Sequence, residues 1–479
     1  MLPTAGLPTA GSCAERIALL WLLSKAPVPR GVNTATPAQL RQTSPRILSF
    51  DRESSLTGIF AFLSSISDDP AHVVATCIEE LSRGDGVRVL VAMNKQAPKS
   101  GTAVLRKIKH GLDGVLSVLS RAENGTSDKT ALEGRILDAV ISMCQHRIFS
   151  RLGSQRPGAS YWKKNKPLFA TCVQKVVDAV GAHHYTATKS ESGAVLFVKK
   201  ASKLLGLLNG LETCEAKDVT SHLENIILEA HQLTNSVDIS SVLSGITYKE
   251  LEPDIITKVI HRLGRLGRYI ECSRYLAQTA KKLSLFSNAS VAIVSLDADC
   301  FARHHHMNAL DLSGCLSQCQ ASQPRPIPIK DICRKLKTNM AASSDTFTST
   351  ARRVLKESRI HAEVQIVAHY EISPVANPPR VICSSKDACY LCDLLIRLHA
   401  KFHMPSTHGV LYPSWRIPNI ASLDHVLARL HTALETQIQA TIRKLMASPK
   451  RLVTTFPNES TTFPLSNSLS TLASLVLPV

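Results

Sequence analysis

The spacing of apolar residues changes partway along this 479-residue chain, and that change constrains the fold more than any other feature. Up to about residue 285, apolar residues recur every three or four positions, which is the spacing of one buried helix face. Clusters of Gly, Ser, Asn and Pro separate these segments and are typical of helix breaks. The clearest helical segments are 70–83, 101–122, 130–151, 218–232 and 248–263. We therefore predict a helical domain over residues 1–285, whose role the pattern does not indicate.

From residue 286 onward the pattern becomes that of alternating strands and helices. The run 290–296 is rich in β-branched residues and suits a buried strand. Farther along, the sequence predicts helices at 360–371 and 388–402 and strands at 380–383 and 409–412. This alternation is typical of a sheet with helices packed on it. Residues 286–420 are therefore predicted to form an α/β domain.

Three further segments belong to neither pattern. Residues 300–350 have no regular period and are predicted to be an irregular insertion with one helix around 329–339. A C-terminal helix is predicted within 421–452. The last segment, 453–479, is rich in Ser, Thr, Asn and Pro and carries one charged residue, Glu459, so we expect a disordered tail.

The chain is basic, and the excess is concentrated near its C-terminal end. Its formal net charge is +18, and residues 325–452 hold 19 Lys and Arg against 9 Asp and Glu. Such a balance favours acidic partners, and we expect a nucleic acid or nucleotide substrate to be attracted to this third of the chain. The alternative is that these side chains only solvate helix faces.

Neither a membrane span nor a secretory signal is expected. The longest early apolar run, 17–23, is far below the roughly 20 residues that a bilayer requires. The first dozen residues lack the basic start of a signal peptide, although the scarcity of acids in 1–47 leaves a mitochondrial presequence as an alternative. Thirteen scattered cysteines in a long chain favour a reducing compartment, the cytoplasm or the nucleus.

Two short motifs in the α/β region carry chemistry. His361 and Glu363 flank one alanine at the start of a predicted helix, and Cys389 and Cys392 lie three apart at the start of the next. Zinc enzymes use three N or S ligands and leave one position open, with a carboxylate beside the metal to move protons. We therefore predict that His361, Cys389 and Cys392 bind Zn²⁺ and that Glu363 lies beside the ion. The alternative is buried, inert Cys and His side chains.

The context of the first motif separates it from its rivals. The triplets at 222–224 and 369–371 also read His-x-Glu. The former has no Cys-x-x-Cys at a short distance after it, and the latter lies at the end of its predicted helix. Only His361 begins a helix that is followed, after one strand, by a second helix that begins with paired cysteines. Helix N-termini favour thiolates, which zinc prefers.

Three segments resemble a known family. His-Ala-Glu followed by Cys-x-x-Cys resembles the cytidine-deaminase-like superfamily of zinc-dependent deaminases. More narrowly, residues 359–365, 378–392 and 408–415 look like a fungal branch of nucleic-acid or nucleotide deaminases that is defined largely by its sequence pattern. The close match covers about 60 residues. The superfamily pattern has Pro directly before the first Cys, where this chain has Ala388.

The resemblance implies a fold and a reaction. The fold is a three-layer α-β-α domain, and the reaction is hydrolytic deamination of a cytosine- or adenine-containing base. His361, Cys389 and Cys392 would hold the zinc ion. Glu363 would be the general acid/base, which takes protons from the attacking water and delivers one to the ring nitrogen and one to the departing ammonia.

Three neighbouring residues are candidates for substrate contacts. Lys386 lies in the predicted loop before the second helix, where it could contact a phosphate, or it could simply be exposed. Tyr412 and Trp415 end the short predicted strand, where they could stack on a base, or they could pack in the core. Two other motifs have a functional alternative but are favoured as polar loops. His304 to His306 with Cys315 and Cys319 could form a second metal site, and the basic stretch 162–166 could form a nucleic-acid patch.

Two alternatives to an enzyme remain open at this level. One is a non-catalytic module in which zinc only stabilises the domain and the helical region binds a protein partner. That module requires a closed shell of four protein ligands. The other is a nucleic-acid binder whose deaminase fold has lost activity, against which the complete His-Ala-Glu motif argues.

Overall fold

The structure is a computed structural model of the chain. It describes residues 10–36, 46–81, 84, 86–121, 128–154, 168–183, 188–244, 246, 251–303 and 311–448. The predicted tail 453–479, the run His304 to His306 and the basic stretch 162–166 lie outside these ranges. Among the described helices, none combines the length and the apolar character that crossing a bilayer requires.

Helices dominate the described part of the chain before residue 285. The N-terminal elements are α1 (Ala10–Leu23), the short strand β1 (Gly31–Val32) and α2 (Phe50–Leu63). The remaining helices of this region are α3 (Thr102–Ser120), α4 (Lys129–Leu152), α5 (Phe169–Ala182), α6 (Thr188–Gly210), α7 (Val219–Ser236), α8 (Ile239–Ser244) and α9 (Pro253–Lys282). The helices predicted at 101–122, 130–151, 218–232 and 248–263 are confirmed, the last as part of the longer α9.

The helix predicted at 70–83 is wrong. This segment contains strand β2 (Val74–Glu80), which pairs antiparallel with β3 (Val87–Met93). All residues of β2 are buried, and all of β3 except Arg88. A strand that is covered on both faces needs no polar residue at alternate positions, so its apolar run has no two-residue period and is easily taken for a helix.

The main sheet joins distant parts of the chain. Strand β4 (Ala289–Ile293), predicted from the run 290–296, lies parallel to β3, and β5 (Cys383–Ser384) lies antiparallel to β2. The strand order is β4-β3-β2-β5. The sheet therefore takes strands from both sides of residue 285, the predicted domain boundary.

Apolar side chains cover both faces of this sheet. Val89 and Val91 of β3 belong to a core shared with the helices of the N-terminal region. Leu90 and Ala92, which alternate with them, belong to a second core formed with α1 and the C-terminal helices. Successive side chains of β3 thus belong alternately to two different cores, one on each face of the sheet.

The C-terminal part contains more helix than the sequence indicated. The segment 300–350, predicted to be irregular, contains α10 (Leu312–Gln320), α11 (Ile329–Leu336) and the first part of α12 (Met340–Glu357). Of these, α11 corresponds to the helix predicted around 329–339. The Ser/Thr-rich stretch forms α12 because Asn339 caps its first turn and Phe347, Ala351 and Val354 form a buried stripe.

The remaining elements surround the predicted metal ligands. Helices α13 (Ala362–Ile372), α14 (Tyr390–His399) and α15 (Asp424–Ala447) confirm three predictions. The strand predicted at 380–383 is shorter than expected and appears as β5. The strand predicted at 409–412 is wrong, and the nearby strand is β6 (Ser406–Thr407), which pairs with β1.

Gly409 explains why the chain turns away at this point. Its φ is +71°, a left-handed conformation that glycine adopts readily and other residues adopt rarely. A Cβ atom here would lie 2.0 Å from the carbonyl oxygen of Val28. The close approach of the N-terminal segment therefore requires glycine and is incompatible with a regular strand.

A buried ion pair fixes α2 to the segment that leads into β5. The carboxylate of Glu53 accepts from Arg380 Nε at 2.6 Å and from the backbone N–H of Val381 at 3.1 Å. Arg380 also donates to the carbonyl oxygen of Leu48 at 2.7 Å. Burial is the largest effect on the Glu53 carboxyl and raises its pKa, although the charge of Arg380 opposes that rise. Both charges are satisfied only while the two segments stay together.

We expect Glu53→Ala to lower the free energy of unfolding by about 3–5 kcal/mol, because Arg380 is then left buried without its partner. Urea denaturation followed by far-UV circular dichroism measures this change. Asp51→Ala, at an exposed position in the first turn of the same helix, is the control and should cost less than about 1 kcal/mol. Equal losses in the two variants would contradict the assignment.

Candidate metal centre

His361 is held at the N-cap position of α13 by contacts with the end of β3. The backbone of the preceding residue, Ile360, pairs in both directions with Lys95, at 2.9 and 3.0 Å. Asn94 Oδ1 accepts from the backbone N–H of Ala362 at 2.9 Å. Gln365, fully buried on the same helix, donates to the carbonyl oxygens of Met93 and Ile360. The strand therefore fixes both the backbone and the direction of the helix at His361.

Cys389 occupies the N-cap position of the next helix, α14. Its sulfur accepts from the backbone N–H of Cys392 at 3.4 Å, so the two cysteines lie over the same first turn. Ala388 donates to the carbonyl oxygen of Ser406, and Tyr390 donates to that of Val410. The segment after α14 thus holds the cysteine turn on both sides. A proline at position 388 has no N–H and could not donate to Ser406.

The three predicted ligands come together. Nδ1 of His361 lies 3.6 Å from the sulfur of Cys389 and 3.4 Å from that of Cys392. All three donor atoms lie within 4.8 Å of one another, and among the described residues they are the one group of at least three donors this close.

This spacing fits a tetrahedral zinc ion. With Zn–N near 2.0–2.1 Å and Zn–S near 2.3 Å, tetrahedral angles separate a nitrogen and a sulfur ligand by about 3.6 Å. The observed N–S distances match this value. The donor set of one imidazole and two thiols also suits zinc. His361, Cys389 and Cys392 are therefore close enough to hold a metal ion, and their chemistry is consistent with zinc.

Glu363 lies beside this group but outside it. It is in the first turn of α13, 3% exposed, and its Oε2 accepts a hydrogen bond from the Cys392 thiol at 3.4 Å. Its position two residues after His361 places it on the same helix start as the nitrogen ligand. A buried carboxylate in this position can exchange protons with a group bound between it and the three donors.

Without a metal, the pKa values of His361, Cys389 and Cys392 shift in different directions. Burial alone would lower the pKa of His361, but the adjacent Cys389 thiolate outweighs it and raises that pKa. Burial acts against the Cys389 thiolate, yet hydrogen bonding from Cys392 and the charge of His361 bring its pKa well below the usual value. Burial and then the hydrogen bond to Cys389 raise the pKa of Cys392. Without a metal, these shifts favour a protonated imidazole at His361 and a thiol at Cys392 around a thiolate at Cys389.

The three candidate substrate residues lie near the metal group in different environments. Trp415 is 1% exposed, and its indole is close enough to Cys392 to oppose the rise in that residue's pKa. Its backbone bridges to Arg359, two residues before His361. Tyr412 is half-buried with its ring edge-on to His408 at 5.6 Å. Lys386 is partly exposed in the turn before Cys389. The burial of Trp415 supports the packing alternative for that residue.

A polar clamp from the N-terminal segment was not predicted. Arg30 forms an ion pair with Asp387, two residues before Cys389, at 2.8 Å. Asn33 donates to Asp393, the residue after Cys392, at 2.6 Å, and to the carbonyl oxygen of Met404 at 2.8 Å. Burial raises the pKa of Asp393, and the hydrogen bond from Asn33 opposes that rise. Arg30 and Asn33 thus hold the cysteine turn at both ends.

Zinc uptake is expected to release protons, because thiols and imidazolium must be deprotonated before they bind a metal. At neutral pH the strongly raised pKa of Cys392 keeps its thiol protonated, and the raised pKa of His361 favours the imidazolium, so about one to two protons should leave per ion. Apparent affinity should therefore fall as the pH is lowered from about 8 to 6, by up to about 100-fold per unit. Calorimetric titration of the metal-free protein in buffers of different ionisation enthalpy measures this release. Uptake without proton release would contradict the described protonation.

We expect Asn33→Ala to weaken zinc binding roughly 10-fold, because residues that orient a ligand-bearing turn have effects of this size. Competition with a chromophoric chelator measures the change. Thr34→Ala, an exposed neighbour, is the matched control and should retain the wild-type affinity. Equal helix content in the two variants would show that both are folded. An unchanged zinc affinity in Asn33→Ala would then mean that the clamp does not contribute to metal binding.

Comparison with known proteins agrees with the geometry over a limited part of the chain. Residues 360–419 match the family model described as "OTT_1508_deam:-like deaminase". No curated protein and no solved structure matches the chain. The matched segment contains His361, Glu363, Cys389 and Cys392, and it ends after Tyr412 and Trp415. The predicted resemblance to the superfamily is confirmed, and the narrower fungal branch stays a prediction. Residues 360–419 are thus similar to the deaminase domain of a cytidine-deaminase-like family.

Proposed function

We propose that this protein is a zinc-dependent hydrolytic deaminase that acts on a cytosine- or adenine-containing base. The observation that carries the proposal is the convergence of His361, Cys389 and Cys392 within 4.8 Å, with Glu363 against the same cluster. The match of residues 360–419 to a deaminase family supports the reaction class. The proposal includes the three-layer α-β-α arrangement for the sheet and its helices, and membership of the fungal branch.

The number of donors favours a catalytic over a structural zinc site. Structural sites surround the ion with four protein ligands, whereas catalytic sites use three and keep one position for water or substrate. Within the described residues the donor group has three members, and Glu363 is not one of them. Zinc bound by these three side chains would act as a Lewis acid that makes water nucleophilic at neutral pH.

The residues of the chain would handle the protons. Hydrolytic deamination replaces a ring C–NH₂ group by C=O, with one water consumed and one ammonia released. Glu363 would accept a proton from the attacking water and pass it to the ring nitrogen, and would then carry the second proton, from the new hydroxyl group on the ring carbon, to the departing amine. Its burial limits contact with bulk water, and its attachment to the first turn of α13 fixes it beside the ligands. Proton transfer of this kind requires a carboxylate that alternates between its protonated and deprotonated forms and does not bind the metal.

The proposed substrate is a nucleic acid or a nucleotide. The excess of Lys and Arg in residues 325–452 would attract phosphate groups toward the region that contains the metal group. Lys386 and Tyr412, both partly exposed near the cysteine turn, are the proposed contacts to a phosphate and a base. Trp415 would act from the core by packing against the cysteine turn. The proposed compartment is the cytoplasm or the nucleus, which thirteen free cysteines support.

We expect Glu363→Gln to keep its zinc and to lose about 10²–10⁴-fold in kcat, because the amide has the same shape but cannot accept a proton. Ammonia release from cytidine, adenosine, their nucleotides and single-stranded oligonucleotides measures activity, and atomic absorption measures zinc. Glu357→Gln, at an exposed position on the preceding helix, is the control and should retain wild-type activity.

The same assay distinguishes the non-catalytic alternative. Wild-type protein that holds one zinc ion and releases no ammonia from any substrate would favour a zinc-stabilised binding module. Equal activity in wild type and Glu363→Gln would remove Glu363 from the mechanism. A wild-type protein that binds no zinc would overturn the metal assignment itself.

A further inference from the structure

A group of arginines lies inside the helical region, away from the metal ligands. We call Arg147 and Arg151 on α4 and Arg265 on α9 the arginine cluster. Arg151 is 8% exposed and donates to the Tyr269 hydroxyl at 2.6 Å. Arg147 and Arg265 are half-buried, and the positive charges of the three groups act on one another. Guanidinium groups stay protonated in proteins, so these charges cannot be relieved by loss of a proton at neutral pH.

Carboxylates do not balance this charge. Asp68 forms an ion pair with Arg147. Within the described part of the chain, Arg151 and Arg265 form no ion pair, and Nε of Arg151 is buried without a hydrogen-bond partner. The burial of unbalanced charge is costly, and each unsatisfied donor adds to that cost.

Aromatic rings stabilise Arg151 in part, while its Nε stays without a hydrogen-bond partner. The guanidinium of Arg151 lies over the rings of Phe62 and Tyr269, at 4.8 and 5.1 Å from their centroids. Such a contact uses the flat face of the guanidinium group and is stronger where the pair is desolvated. The N–H groups lie in the plane of the guanidinium, so these ring contacts satisfy none of them.

The electrostatics agree with this geometry. Burial and then the charge of Arg151 lower the pKa of Arg147 to about 10. Burial, followed by the charges of Arg151 and Arg147, lowers the pKa of Arg265 to about 9. The Tyr269 hydroxyl opposes the fall in both pKa values, and the carboxylate of Asp68 also pairs with Arg147. With Asp68 as its one described carboxylate, the cluster of three arginines therefore keeps a net positive charge.

We propose that the arginine cluster binds a compact anion with several phosphate groups, which stabilises the helical region. Guanidinium forks match phosphate oxygens in pairs, and one multiply charged anion can accept from several of them at once. The burial of Arg151 restricts access to a small ligand, so a free polyphosphate fits better than the backbone of a nucleic acid. This site is independent of the metal group and of deamination.

Inorganic tripolyphosphate is the probe, and the full-length wild-type protein is the sample. Thermal denaturation with 1 mM tripolyphosphate, against KCl of equal ionic strength, should show an increase in Tm of several degrees, because a ligand that binds the folded state stabilises it. Arg265→Gln should lose most of this increase. Arg135→Gln, at an exposed position on α4, is the matched control and should keep it.

Two further measurements keep the test decisive. Without added anion, Arg265→Gln should melt at the same temperature as wild type or higher, since the variant removes one repelling charge. Acid extracts of purified wild type are assayed for phosphorus, because an anion that copurifies would mask the increase in Tm and would support the proposal. Wild type that contains no phosphorus and does not respond to tripolyphosphate would overturn it. A single-stranded oligonucleotide that stabilises wild type through Arg265 where tripolyphosphate does not would also overturn it.

Discussion

Two consecutive helices, α13 and α14, begin with a candidate metal ligand, and the candidate site depends on those two starts lying next to each other. His361 and Cys389 each occupy an N-cap position, where side chains project beyond the first turn and the helix dipole favours negative charge. That location favours a thiolate at Cys389 and brings Cys392 over the same turn. The donor distances of 3.4 and 3.6 Å follow from this arrangement.

The sequence predicted the parts of the site that have local signals. Helix starts at His361 and Cys389 could be recognised because apolar spacing, motif spacing and the intervening β-rich run agreed. The clamp by Arg30 and Asn33 could not be recognised, because an isolated polar residue in a loop carries no sign of a partner about 360 positions away. The same is true of Asn94, whose side chain caps the helix after His361.

The errors in the fold have related causes. Strands β2 and β3 are covered on both faces, so their composition shows burial but not the two-residue alternation that identifies a half-exposed strand. Helix α12 was hidden by its Ser and Thr residues, which have low intrinsic helix propensity and are overridden by a buried stripe at 347, 351 and 354. At 409–412, one close backbone contact at Gly409 prevents the strand that the β-rich residues favour. In each case a tertiary contact decided the local structure.

The origin of the sheet strands limits how the matched segment can be used in isolation. Residues 360–419 supply one short strand, β5, to a sheet whose long strands come from residues 74–93. Excision of this segment would remove the hydrogen-bonding partners of Ile360 and β5 and expose the apolar side of α13, conditions that promote self-association. The segment is therefore a poor unit for transplantation into another scaffold. Transfer of the His-Ala-Glu and Cys-x-x-Cys motifs to another protein during evolution would have to include the hairpin formed by β2 and β3.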